Sequence, residues 1–242
     1  MTRLAVLLFS VMCGSAAATE HPCQHSVRVD GKVLPQSTHI GLKVKESHRT
    51  FALAGLQAET AIPIDGVLEL YSSSQHPDRY GRILVQAFQG KDWVQGSLLS
   101  SGRALAFGLE ESADCLRAMR EAEAVARQKK AGIWAGKTFP LSALELDELA
   151  ERYGHFAVVE GKVISVGNRQ RRLYLNFGKK WKQDFTVSVV KKGSGAFKGT
   201  KAVTLDDLTR LSGQKVRIRG VLEERQGPLM RLFNEAQIEI LE

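Results

Sequence analysis

Between residues 169 and 219 the chain sets cations and aromatic rings close together. Arg169, Arg171 and Arg172 stand at the start of a strand pattern, Tyr174 follows, and Lys179, Lys180 and Lys182 surround Trp181. Lys215, Arg217 and Arg219 alternate with Val216 and Ile218, which on a strand turns all three to one outward face. Lys191 and Lys192 extend the set. Guanidinium and ammonium groups take phosphates, and a ring beside them gives a base a surface to stack on. The pattern predicts a binding surface for nucleic acid or another polyanion made of Arg172, Tyr174, Lys179, Lys180, Trp181, Lys182, Lys215, Arg217 and Arg219. Tyr174 is expected outward with Arg172 and Asn176, and Phe177 inward. The competing readings are a solvated face, or a surface for cell-envelope polymers or acidic lipid heads.

The charge distribution agrees with a basic C-terminal unit. The 242 residues carry 34 Lys and Arg against 26 Asp and Glu, a net charge of +8. Residues 154–242 hold 17 and 9 of these, while residues 1–153 hold 17 of each sign. Such asymmetry points to two units with different tasks. A composition of 43% hydrophobic and 25% charged residues excludes wholesale disorder, a collagen-like repeat and a disulfide-dense miniprotein. No apolar run reaches the roughly 18 residues that a transmembrane helix requires.

The first residues read as an address. Arg3, the apolar run Leu4–Cys13 and Ser15-Ala16-Ala17-Ala18 fit a secretory signal with cleavage after Ala18, so the chain is expected to be exported, to the periplasm or beyond. Removal of Cys13 leaves Cys23 and Cys115. An even pair in an oxidising compartment predicts one disulfide; the alternative is two separate thiols. Closing a loop of this length is worth about 4–5 kcal/mol in the chain-entropy model. No CxxC is present and the 6 His are scattered, so no metal site is expected from cysteine and histidine spacing.

Those groups need elements to hold them. Short alternating runs at 26–29, 39–44, 50–56, 67–71 and 83–88 predict strands, with Asp30-Gly31 as a turn. A short helix is expected over 93–101, ended by Gly102. A longer one is expected from an N-cap at Ser112 to about Lys130, with Leu116, Met119, Glu123 and Ala126 on one face. Ser142 with Glu145 fits a capping box for a helix reaching Tyr153. Further strands are expected at 156–166, 172–177, 184–190, 215–222, 230–233 and 237–241, and a helix from the cap Thr204. The fold class is mainly β with some α: a five-stranded OB-like barrel plus helices, then a second small OB-like barrel. The expected boundaries are 1–18 signal, 19–138 first barrel, 139–153 linker helix and 154–242 basic barrel. No tandem sequence repeat is visible, although both units are compatible with one barrel plan.

The string Asp78-Arg79-Tyr80-Gly81-Arg82, with Leu53-Ala54-Gly55-Leu56 upstream and Glu121 to Arg127 and Gly132-Ile133-Trp134 downstream, resembles the thermonuclease, or staphylococcal-nuclease-like, family over about residues 26–135. The later stretch with Tyr174-Leu175-Asn176-Phe177-Gly178, Trp181 and Asp184-Phe185-Thr186 looks like an accessory barrel of some exported bacterial members. The resemblance implies calcium-assisted phosphodiester hydrolysis, with two aspartates on the metal, a glutamate positioning water and two arginines on the phosphorane.

This chain departs from that pattern at most of those positions. Ser37 stands where the first aspartate is expected, Gln57 where the second is, Ala52 in place of one arginine and Thr60 at the glutamate position. Arg82 is retained, and Glu59 reaches the glutamate role with a one-residue shift. Arg82 and Glu59 are therefore the candidate catalytic residues, Arg82 having the alternative of simply pairing with Asp78 or another carboxylate. Asp30-Gly31 is the alternative placement of the metal turn, though it lies too far upstream of Leu53, and neither rescue restores both aspartates. Neutral oxygens hold calcium weakly, so no cofactor is expected, calcium entering only if the site works. The expected function is a non-catalytic binder of nucleic acid or another anionic polymer. The alternatives are an active metal-dependent nuclease with a rearranged site, and a structural or interaction protein of the envelope.

Overall fold

The computed structural model describes residues 21–241 apart from 25–26, 35–39, 45–48, 63, 65, 75, 137–138, 181 and 200–202, with backbone alone at 27–34 and 43–44. The leader segment, Ser37 and Trp181 lie outside the described residues.

The chain is mainly β with few helices. Its first part contains β1 (Val27–Leu34), β2 (Gly41–Val44), β3 (Thr50–Leu53), β4 (Leu56–Gln57), β5 (Gly66–Ser72), β6 (Arg82–Gln89) and β7 (Asp92–Trp93). β1 pairs antiparallel with both β2 and β5, β2 pairs with β3, and β5 pairs with β6. β3 and β6 run parallel, Phe51 opposite Ile83, and this pairing closes the ring. Asp30-Gly31 was expected to turn, but the two residues sit inside β1 opposite Glu69 and Leu68. Seven consecutive pairings with β5 hold the strand straight there, which outweighs the local turn preference of the dipeptide.

Helix α1 (Val94–Ser100), β8 (Leu105–Ala106) and α2 (Ala113–Lys129) cover this ring. Ser112 caps α2, its hydroxyl accepting from the Cys115 backbone N–H, as the sequence suggested. The helix buries Cys115, Leu116, Met119, Glu123 and Ala126. Cys23 and Cys115 form a disulfide, tying the segment before β1 to the first turn of α2.

The remainder comprises β9 (Leu141–Ser142), α3 (Leu146–Ala150), β10 (Phe156–Lys162), β11 (Ser165–Asn168), β12 (Arg172–Asn176), β13 (Thr186–Val190), α4 (Leu205–Thr209), β14 (Lys215–Glu224), β15 (Pro228–Leu232) and β16 (Ile238–Leu241). The strand expected over 156–166 is broken at Val163–Ile164 into β10 and β11, and this break lets one stretch of chain serve two neighbours. β11 pairs with β12, β12 with β13, β15 with β14 and β14 with β10. β13 and β15 run parallel. The ring order, with a parallel pairing between its third and last strands, repeats that of the first unit. Both are consistent with an OB-like fold.

Ser142 does not cap a helix. Leu141 and Ser142 pair in parallel with Val159 and Glu160 of β10, and α3 begins only at Leu146, after Glu145 with no side-chain cap. Joining a sheet satisfies backbone groups that a single cap leaves open. Thr204 does form the expected capping box with Asp207.

One buried apolar cluster crosses the boundary between the units. It joins Leu105, Ala126 and Trp134 to Phe139, Leu149, Val158 and Ile218. Phe107 and Phe156 meet edge to face, with ring centroids 4.9 Å apart.

Candidate functional site

The turn before β6 explains the placement of Arg82. Gly81 takes φ 74°, a left-handed value that favours glycine. Asp78 organises this turn: its Oδ1 accepts from the backbone N–H of Tyr80 at 2.8 Å and of Arg82 at 3.0 Å. Its Oδ2 accepts from Arg82 Nε at 3.0 Å and Nη2 at 2.8 Å. The Tyr80 ring lies 4.9 Å from the Arg82 guanidinium. Burial pushes the Asp78 carboxyl up, but the hydrogen bonds from Arg82 and Tyr80 and the guanidinium charge outweigh it and hold the group below the usual aspartate value. The alternative reading of Arg82, a partner for Asp78, is the arrangement present.

Arg82 borders a cavity of about 230 Å³ that is also lined by Gln57, Ser73, Asp78, Glu110 and Glu111. Glu111 accepts from Gln86 Nε2 at 2.9 Å, and Gln86 in turn accepts from Trp93 Nε1 at 2.8 Å. Glu59 points elsewhere. Its carboxylate meets Arg152, which also donates to the Phe156 carbonyl at 3.0 Å. The two candidate catalytic residues are thus held by separate partners, and Glu59 does not line the cavity of Arg82. Ala52 is wholly buried in β3, and Thr60 is exposed.

A calcium ion asks for six to eight oxygen ligands with several carboxylates among them. Here the position of the second aspartate offers the amide of Gln57, and Asp78 is engaged by Arg82 and the turn backbone. Among the described residues no three His, Cys, Asp or Glu side chains gather closely enough to hold a metal together. Among the described residues the donor set does not fit calcium.

The second unit corrects the expected basic strand. Arg217 and Arg219 do not project to solvent; they are 7% and 1% exposed. β14 is flanked by β10 and β16, and its Arg219 side chain turns into the boundary with α2. Arg219 Nη1 donates to Glu123 Oε2 at 3.0 Å and to the Ala106 carbonyl at 2.6 Å, while Nη2 donates to Glu123 Oε1 at 3.1 Å and also meets Glu239. Glu123 accepts further from the Ala106 N–H at 2.7 Å and from Arg127 at 3.1 Å. Arg217 bonds Glu160 at 2.6 Å and Glu239 at 3.1 Å. Lys215 remains largely exposed, 3.4 Å from Glu160. Alternation correctly gives a face here, but that face is covered.

Arg120 completes the boundary, its Nη2 donating to the carbonyls of Glu235, Ala236 and Ile238 at 2.9–3.2 Å. Burial lowers the Arg120 guanidinium, partly offset by the charge of Glu239. Glu239 is raised by burial but more strongly lowered by the charges of Arg219, Arg217, Arg120 and Arg127. Sequence reasoning missed Glu123, Glu160 and Glu239 as partners. One signal was present: a glutamate on the apolar face of α2 must find a cation when buried.

The other predicted cations remain outward. Arg172, Lys179, Lys180 and Lys182 are exposed, and Tyr174 is half-buried on the outer face of β12. Arg172 Nη1 donates to Ser188 Oγ at 3.1 Å. Phe177 is buried, as expected. Lys191 Nζ bridges Asn168 Oδ1 at 2.8 Å and the Arg169 carbonyl at 3.1 Å, tying the end of β13 to the β11–β12 hairpin.

Residues 48–136 match the family model described as staphylococcal nuclease homologue. The matched segment runs from β3 through the turn after α2, and it contains Gln57, Arg82 and Glu123. Such a segment implies a nuclease-family or nucleic-acid-binding protein. A search of curated proteins finds no match.

Proposed function

We propose that this chain is an exported nucleic-acid-binding protein in which the staphylococcal-nuclease-like barrel serves as a scaffold and the second barrel supplies the binding surface. One observation carries the reading: Arg82 is forked onto Asp78 while Glu59 is paired with Arg152, so the two groups needed for hydrolysis do not converge. A phosphorane requires donors aimed at its developing charge, and a guanidinium held by a carboxylate is not so aimed. The outward Arg172, Lys179, Lys180 and Lys182 then provide phosphate contacts. Export is supported by the apolar leader pattern and by the disulfide, since such bonds persist in oxidising compartments.

The test pairs a binding titration with a cleavage assay on the full chain. Single-stranded DNA should bind at low salt, with the logarithm of affinity falling linearly as the logarithm of salt rises. Denatured DNA incubated with calcium should stay intact. Absence of binding at low salt, or calcium-dependent fragments that vanish in Arg82→Ala, would overturn the reading.

A further inference from the structure

The second barrel carries a cavity of about 490 Å³ away from the Arg82 site. It lies on the outer face of the β11–β12–β13–β15 sheet. Tyr174 forms its aromatic wall, Asn176 and Thr186 contribute an amide and a hydroxyl, and Arg169 and Arg225 stand at its margins. The sheet register explains the grouping. Tyr174 pairs with Gly167 on one side and Ser188 on the other, and Asn176 pairs with Thr186. All of these point to the face opposite the core residues Leu173, Leu175 and Val187.

Gly167 keeps the space open. A Cβ built there would meet Tyr174 Cβ at 3.6 Å and nothing nearer, so a side chain is sterically admissible in the strand but would project beside the ring. The β14–β15 turn brings Arg225 and Gln226 over the other end, with Gln226 at φ 54°. Arg225 has an acidic neighbour, Glu223, 3.5 Å from its Nε, and that carboxylate is shared with Arg231 at 2.9 Å. The guanidinium is 65% exposed, so this contact is weak enough to yield to a phosphate. The volume falls within the roughly 300–1,000 Å³ of small-ligand sites.

We infer that this cavity is a nucleotide subsite: one base of a single strand stacks on Tyr174 over Gly167, with its edge toward Asn176 and Thr186 and the flanking phosphates toward Arg169 and Arg225. A ring-bearing wall between two cations matches the alternation of base and phosphate along a single strand. A polyanion without bases would use the arginines and leave the wall unused. The inference rests on the nucleic-acid reading above and adds to it where a base is held.

The experiment compares an oligothymidylate with an abasic oligodeoxynucleotide of equal length, titrated by anisotropy into the full chain. Stacking of one base on an aromatic side chain predicts that the oligothymidylate binds roughly 5- to 150-fold more tightly. Tyr174→Ala and, independently, Gly167→Val should bring the affinity for the oligothymidylate down to that for the abasic strand. The valine variant guards against a folding defect in the alanine variant, because it adds a strand-favouring side chain where the backbone admits one. Equal binding of the two strands to the native chain, or a base preference that survives both substitutions, overturns the subsite and leaves the binding reading standing. If neither strand binds at low salt, both fall.

Discussion

Arg219 and Glu123 face one another as a bidentate pair across the boundary of the two barrels, both contacts at 3.0–3.1 Å and neither side chain more than 1% exposed. The two residues come from different units and are 96 positions apart. Two desolvated charges are costly unless their remaining polar groups are satisfied. Here Glu239, Arg127 and the Ala106 backbone satisfy all of them except Arg219 Nε, which is buried without a hydrogen-bond partner. The pair therefore fixes how one barrel sits on the other and gives a physical reason for a basic strand that does not face solvent.

Removing one partner should leave the other buried and uncompensated. Glu123→Ala is expected to destabilise the chain by about 3–5 kcal/mol, and Arg219→Ala by a similar amount. Replacing both together by apolar residues of similar size should restore most of that loss. Urea denaturation of the two single variants and of Arg219→Met with Glu123→Leu measures this. Additive losses in the double variant would mean that the residues do not act as a pair.

Acid should loosen the same boundary. Burial raises the Glu239 carboxyl, but the guanidinium charges of Arg219, Arg217, Arg120 and Arg127 outweigh it and hold the group below the ordinary 4.5. A carboxyl depressed in the folded state binds fewer protons there than in the unfolded chain. Its stabilisation is complete above pH 4.5 and is lost as pH falls through the lower, folded-state value. The midpoint of urea unfolding should hold steady toward neutrality and drop below pH 4.5. Glu239→Gln should start lower and show a shallower acid limb. An acid limb unchanged in Glu239→Gln would assign the pH dependence to other carboxylates.

Much of this architecture was legible where one local rule governs. The Ser112 cap, the Thr204 box and the buried face of α2 follow from short-range spacing, and each is present. Arg217 and Arg219 show where that reasoning stops. Alternation separates two faces of a strand but does not say what a third element lays against either one. Their partners Glu160 and Glu239 lie on neighbouring strands, and Glu123 lies on a helix of the other unit, so only tertiary packing brings them together. Ser142 failed for a related reason, because β10 recruits it as a strand. The wall around Tyr174 was half legible. The ring and its outward direction follow from alternation, whereas the role of Gly167 depends on cross-strand register.

Losing Asp78 should cost the turn before β6 more than losing Arg82. If Asp78 and Arg82 formed only an ion pair, removing either would cost the same. The turn geometry says otherwise, since Asp78 also accepts the backbone N–H groups of Tyr80 and Arg82. Arg82→Ala removes an ion pair between side chains 26% and 17% exposed, which is worth about 1 kcal/mol or less. Asp78→Ala removes that pair and also the acceptor of two turn hydrogen bonds, one from the exposed Tyr80 N–H and one from the part-buried Arg82 N–H, each worth about 0.5–1.5 kcal/mol net. Asp78→Ala should therefore be the more destabilising substitution in urea unfolding. The reverse order would mean that Arg82 anchors the segment through contacts other than Asp78, and the guanidinium would then have to be reconsidered as a group held toward the cavity and its neighbours Glu110 and Glu111.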